Sequence, residues 1–349
     1  MTKELLFKLI NTLGPSGNED NVRNLILKEI KSYVDTIKVD KMGNLVARIN
    51  GKGKKAMLTA HMDEIGLMVN KIETNGRMRI SFLGGIEPIT LVGQSVGILT
   101  KKNKIACYGV ITFPELHEAN EIKRVPRIEE MYVDTGLDKK ELTKKEIEVG
   151  SYVVTTHHAS ELGSNKIISG KALDDRVGCY ILIQVIKNLK KYVKKMKVDA
   201  YFVFTVQEEV GLYGAKTSVY EVNPDFGIAI DATNSADSDP TSGRILGKGP
   251  SLTVKDSEII SNRELNEHIN GLAKKYKIPL ELEVVDVGTT DATSIMFSKG
   301  GVPSTVISIP IRNLHSTVGM VHFDDLCNAI DIILKLLNTP PRFSWEKKI

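Results

Sequence analysis

The 349-residue chain has only three cysteines, Cys107, Cys179 and Cys327, far apart in sequence. That excludes a disulfide framework and a cysteine-type zinc site, and it suits a reducing compartment. The single tryptophan, Trp345, and an aromatic share of 6% leave no stock of flat platforms for stacking sugars. Neither sign of charge dominates: 47 Lys+Arg against 43 Asp+Glu gives a net +4. The basic pieces, such as Lys190-Lys191 with Lys194-Lys195, read as a solvated helix face, so the charge predicts no nucleic-acid partner. No apolar stretch reaches the roughly 18 residues of a membrane span, and residues 1–10 lack the apolar segment and cleavage site of a signal peptide. The expectation is a soluble cytoplasmic protein with no membrane partner. A Gly-x-x-x-x-Gly-Lys phosphate loop, a Gly-x-Ser-x-Gly elbow, a His-Glu-x-x-His helix and internal repeats are all missing.

The chain holds enough apolar residues, 42%, for a large core, and at roughly 150 residues per domain its length allows about two domains. Its pattern changes twice. Residues 1–66 read as helix, helix, strand, strand; Ser16 or Asn18 could cap the second helix, and the strands fall at 45–49 and 56–60. From 67 to 164 short β runs cut by Gly and Asn take over, near 66–72, 77–83, 95–100, 106–112 and 152–156, which predicts a small barrel or sandwich. From 165 to 349 apolar strands alternate with helices. Strands are expected at 200–206, 226–230, 281–285 and 302–309, and helices at 177–189, 261–276, 291–297 and 323–337. The expectation is an α/β domain, 1–66 plus 165–349, whose mixed sheet is sandwiched by helices, with a small β-barrel domain, 67–164, inserted in it.

Polar residues fall where such sheets build sites, outside the carboxyl ends of the strands. One apolar strand runs into His61-Met-Asp63, a second into Gln207-Glu208-Glu209, a third into Asp231, and a fourth, six residues on, into His315. Asp174-Asp175 opens a helix. Taken singly, each has a plainer reading: a solvated strand end, a helix cap, a salt-bridged turn, a loop histidine. Together they supply two imidazoles and several carboxylates, a donor set for two divalent metals. Alternate residues on a strand share a face, so Asp63 is expected close to His61, where it could help orient it. Of the two adjacent glutamates, one can bind metal while the other serves as a base.

These segments, with Lys171-Ala-Leu-Asp174-Asp175-Arg176, Gly247-Lys-Gly-Pro250, Thr290-Asp291-Ala292 and Arg312-Asn-Leu-His315-Ser316, follow one another in an order that resembles the tetrahedral aminopeptidases over essentially the whole chain. That group includes glutamyl aminopeptidases and proteins labelled endoglucanase or cellulase M. The resemblance implies a metallo-aminopeptidase using zinc or cobalt. It puts His61 and Asp231 on one metal, Glu209 and His315 on the other, and Asp174 between them. Glu208 would be the general base and Asp63 the residue that orients His61. It implies peptide substrates with a free N-terminus, and an inserted domain that forms dimers, which assemble into tetrahedral dodecamers. The chain departs from the family pattern at Thr135, Thr289 and Asn313, none a proposed ligand. Rival readings are a related two-metal deacylase or carboxypeptidase, and a non-catalytic assembly protein on the same fold.

Overall fold

The computed structural model describes residues 2–192, 196–239 and 241–344. Lys194, Lys195 and Trp345 lie outside these. The chain opens with α1 (Glu4–Asn11) and α2 (Asp20–Ile30), then β1 (Thr36–Val39), β2 (Leu45–Ile49) and β3 (Lys55–His61). The next stretch carries β4 (Gly66–Ile72), β5 (Met78–Leu83), β6 (Ser95–Leu99), β7 (Ile105–Thr112), α3 (Pro114–His117), β8 (Tyr132–Asp134), α4 (Lys139–Lys144) and β9 (Tyr152–Thr155). The rest is β10 (Ser160–Glu161), β11 (Ile167–Gly170), α5 (Leu173–Tyr192), β12 (Asp199–Thr205), α6 (Tyr213–Val222), β13 (Phe226–Asn234), β14 (Ser251–Lys255), α7 (Arg263–Tyr276), β15 (Glu281–Val284), α8 (Asp291–Met296), β16 (Ser304–Arg312), β17 (Gly319–His322) and α9 (Phe323–Asn338).

Eleven strands form one mixed sheet in the order β1-β2-β12-β3-β13-β16-β17-β11-β10, with β14 joined to β16 and β15 joined only to β14. The centre, β12-β3-β13-β16, is parallel. Such strands are apolar throughout because both faces are covered, and their alternate residues feed two cores. Leu58, Phe202, Ile228 and Ile307 face the large core under α1, α2, α5 and α9, whereas Met57 and Val203 face a smaller one beneath α6 and α8. The sheet is therefore sandwiched by helices, as expected.

Strands β4 to β9 close on themselves as a six-stranded antiparallel barrel in the order β4-β5-β8-β7-β6-β9. Its interior is a separate core of residues such as Val69, Ile80, Ile98, Ile111, Val133 and Val153. Closure removes the open strand edges that a sandwich would leave. The short β8 and the edge strand β1, three of whose four residues are exposed, lack the apolar run that marks the central strands of the sheet.

Two local expectations are corrected. Neither Ser16 nor Asn18 caps α2, whose N-cap is Glu19; the Ser16 hydroxyl instead donates to Asp63 Oδ2 at 2.7 Å. The third sheet strand does not stop at residue 230. It runs to Asn234 because β16 continues beside it as far as Ile311, whereas β3 stops pairing with it at Ala229. Asp231 is thus inside a strand, two residues past its last pairing with β3, which places its carboxylate beside His61.

Candidate active site

The seven residues singled out from sequence, His61, Asp63, Asp174, Glu208, Glu209, Asp231 and His315, come together at the carboxyl ends of the parallel strands. His61 is the last residue of β3, and its ring is buried. Its Nδ1–H faces the Asp63 carbonyl oxygen at 3.1 Å, with Asp63 Oδ1 at 3.4 Å. That fixes the tautomer and turns Nε2 into the cluster. Nε2 lies 3.0 Å from Asp174 Oδ1, 3.7 Å from Asp231 Oδ1 and 3.9 Å from Glu208 Oε2.

His315 sits in the turn between β16 and β17, in a left-handed conformation with φ of 57°. Its Nε2 is 3.4 Å from Asp174 Oδ2 and 3.8 Å from Glu209 Oε2. The barrel end of the chain seats this turn: Glu87 N–H donates to the His315 carbonyl (3.1 Å), and a Cβ on Gly85 would stand 3.0 Å from His315 Nδ1. Asp174 therefore shows one carboxylate oxygen to each histidine.

Asp63 does more than orient a ring. Its Oδ1 accepts from Glu208 N–H (3.0 Å) and its Oδ2 from Glu209 N–H (3.1 Å) and from Ser16. One buried carboxylate thus holds His61 and both glutamates. Asp175, beside Asp174, takes the capping part: its Oδ1 accepts from Gly178 N–H (2.9 Å) and its Oδ2 from His61 N–H (3.2 Å).

The electrostatics are those of crowded, buried acids. Burial pushes the Glu208 carboxyl well up; His61 opposes this, while Asp231, Glu209 and Asp291 add to it. Burial and the nearby Asp174 raise Glu209 in the same way. Burial opposes charge on His61, yet Glu208, Asp174, Asp231 and Asp63 hold its pKa well above the usual value. Contact with Asp174 raises His315 to about 9. Asp174 resists the effect of burial and titrates below the ordinary carboxylate range because both imidazoles face it.

Whether these residues fit metal follows from the donors. Glu209 Oε1 is buried with no hydrogen-bond partner. Donor atoms of His61, Asp174 and Glu209 lie within 4.8 Å of one another, as do those of His61, Asp175 and Asp231. Nitrogen and carboxylate donors packed this closely suit borderline divalent ions, and buried charge of one sign calls for a cation.

Glu19 carried no readable signal in sequence, and Asp291, Arg176 and Lys171 stood in the quoted motifs without an assigned role. Glu19 is buried, and its Oε1 accepts from Gly17 N–H (2.7 Å) and Gln207 N–H (3.1 Å), bracing the loop before Glu208. Burial and then the charge of Asp63 push its carboxyl up to about 7. Asp291, at the start of α8, accepts from the Thr205 hydroxyl (2.7 Å), and burial pushes it up to about 7. Arg176 is wholly buried and donates to the carbonyls of Leu9, Thr12, Gly14 and Met62, while Lys171 Nζ meets Glu64 at 2.5 Å. This knot fastens the N-terminal segment to the loop that carries Asp63.

A cavity of about 410 Å³ opens beside the cluster and is lined by Asp174, Glu208, Glu209, Asp231 and His315 at one end. Thr289, one of the departures from the family pattern, lies on its wall, and Asn313 does not.

An α/β sheet bearing this cluster, with a closed barrel attached, defines the class: a metal-dependent peptidase. The chain belongs to the M42 glutamyl aminopeptidase family, whose profile matches residues 43–332. It is a metal-dependent aminopeptidase. Among its relatives, lysyl aminopeptidase of Pyrococcus furiosus is 34% identical, with 96% of each chain covered. Among solved structures, aminopeptidase APDkam598 of Desulfurococcus kamchatkensis superposes with a TM-score of 0.91 at 38% identity, covering 97% of this chain and 94% of that one. The TET1 peptidase of Pyrococcus horikoshii, which assembles into a tetrahedron or a large octahedral shell, gives 0.87 at 33% identity, covering 96% and 99%.

Proposed function

We propose that the chain removes N-terminal residues from peptides by a two-metal hydrolysis with Glu208 as the base. His61 and Asp231 would hold one ion, Glu209 and His315 the other, and Asp174 would bridge them. The observation that carries this is Asp174, whose two carboxylate oxygens face different histidines, at 3.0 and 3.4 Å. Zinc or cobalt, when bound, would polarise the scissile carbonyl and make water a better nucleophile at neutral pH.

Glu208 lines the cavity and carries no metal in this scheme. It takes a proton from the attacking water as the new C–O bond forms, and passes it to the amide nitrogen as the C–N bond breaks. Asp63 keeps His61 turned inward and fixes the backbone of Glu208 and Glu209.

We propose that residues 1–66 and 165–349 form the catalytic domain and that 67–164 form an insertion through which copies pair. The barrel wall supports this: Tyr108 and Val110 on β7 stand 62% and 47% exposed, with Val149, just before β9, at 62%. Dimers joined there would build a larger homo-oligomer, the tetrahedral dodecamer that the family resemblance implies. The three thiols are free, which fits a cytoplasmic setting.

Hydrolysis of aminoacyl-p-nitroanilides after chelator treatment, with and without added zinc or cobalt, tests the reading. Metal-restored release from free-amine substrates, and none from N-acetylated ones, is expected. Acetate freed from the N-acetylated substrates with no p-nitroaniline released would instead favour a deacylase.

A further inference from the structure

The cavity beside the cluster has a far wall whose chemistry the reaction itself does not use. This wall is made by β14, β15 and the end of β13. Glu283 on β15 lines it and is only 4% exposed. Its two oxygens accept from neutral hydroxyls, Oε2 from Thr233 (3.0 Å) and Oε1 from Thr253 (2.6 Å). Asp256 lines the same wall and is also 4% exposed. Its Oδ1 accepts from the N–H groups of Glu258 and Ile259, both at 2.8 Å, while Oδ2 is buried with no partner. Among the described residues, no Lys, Arg or His forms an ion pair with either carboxylate; Arg244, which also lines the cavity, does not reach them. Carboxylates withdrawn from water are ordinarily paired with a cation.

The distance suits a long side chain. Thr233 lies two residues beyond Asp231 on the same face of β13, a step of about 6.6 Å along the strand. Glu283 sits one hydrogen bond further on. A four-carbon stem ending in an ammonium crosses that step along Val285 and Val287 with its charge at the far end. A glutamate side chain falls short and brings like charge.

We propose that this wall receives the side chain of the substrate's N-terminal residue and that Glu283, assisted by Asp256, selects Lys or Arg there. The inference rests on the aminopeptidase reading above.

The test compares p-nitroanilides of Lys, Arg, norleucine, Leu and Glu with the full-length, metal-loaded protein. Norleucine has the stem of lysine without the ammonium, so the Lys-to-norleucine ratio of kcat/KM isolates the charge. That ratio is expected to be at least about tenfold, with Glu the poorest substrate. Glu283→Gln should lower it by at least about tenfold, chiefly through KM. Equal rates on Lys and norleucine, or a preference for Glu that would give the wall to Arg244, would overturn the proposal. So would an unchanged ratio in folded Glu283→Gln. If that variant does not fold, Asp256→Asn is read on the same ratio, and the wild-type ratio already decides. Hydrolysis of none of the five by metal-loaded protein would overturn the aminopeptidase reading instead.

Discussion

At the residue scale, the division of labour between adjacent acids is the sharpest expectation. Glu208→Gln should retain fold and bound metal while kcat falls by at least about 10²-fold; a near-normal rate would remove Glu208 as base. Asp174→Ala, by contrast, should lose metal from both positions, and elemental analysis finding two ions per chain in that variant would exclude the bridge. Glu19 predicts a pH effect of definite sign. Its carboxyl titrates near 4.5 in the unfolded chain and about 7 in the folded one, raised by burial and Asp63. Folding therefore favours the protonated acid, so its contribution is fully present below about 4.5 and is lost as pH rises through about 7. Wild type should lose stability across that window more steeply than Glu19→Gln, whose amide oxygen keeps both backbone hydrogen bonds. Parallel melting-temperature curves against pH for the two proteins would refute it.

At the element scale, Arg176 ties three segments through their carbonyls: the end of α1, the 12–14 turn and the residues after β3. Arg176→Met should remove the buried charged donor that these carbonyls share, at a cost of about 3 kcal/mol or more in denaturant unfolding. The elements also show how far the sequence could be read. The central strands announce themselves because both faces are covered, leaving β3, β12 and β16 largely apolar and almost wholly buried. The ligands announce themselves because they follow those runs. Strand β14 and the short β8, β11 and β17 carry no such run, since each has mixed surroundings. The second duty of Asp63, the bracing by Glu19 and the place of Glu283 were out of reach for a common reason: each is a contact between distant segments. In sequence, Glu283 is merely one of two glutamates in a strand whose other three residues face solvent.

At the scale of the whole molecule, the barrel and the sheet keep separate cores, yet the barrel end holds His315 through Glu87 and Gly85. Replacing Tyr108 and Val110 together by Glu should shift the protein toward smaller species in light-scattering chromatography. Unchanged size would move the interface elsewhere. No helix among the described residues is long and apolar enough to cross a membrane.

The attachment of β15 has a further meaning. It hangs from the sheet by β14 alone, outside the parallel array that carries His61 and Asp231. None of its four residues belongs to the large core, and none is a proposed ligand. On the proposal that Glu283 chooses the side chain, descendants of one ancestral enzyme would trade diets by rewriting a marginal ribbon, while the machinery that cuts is inherited intact.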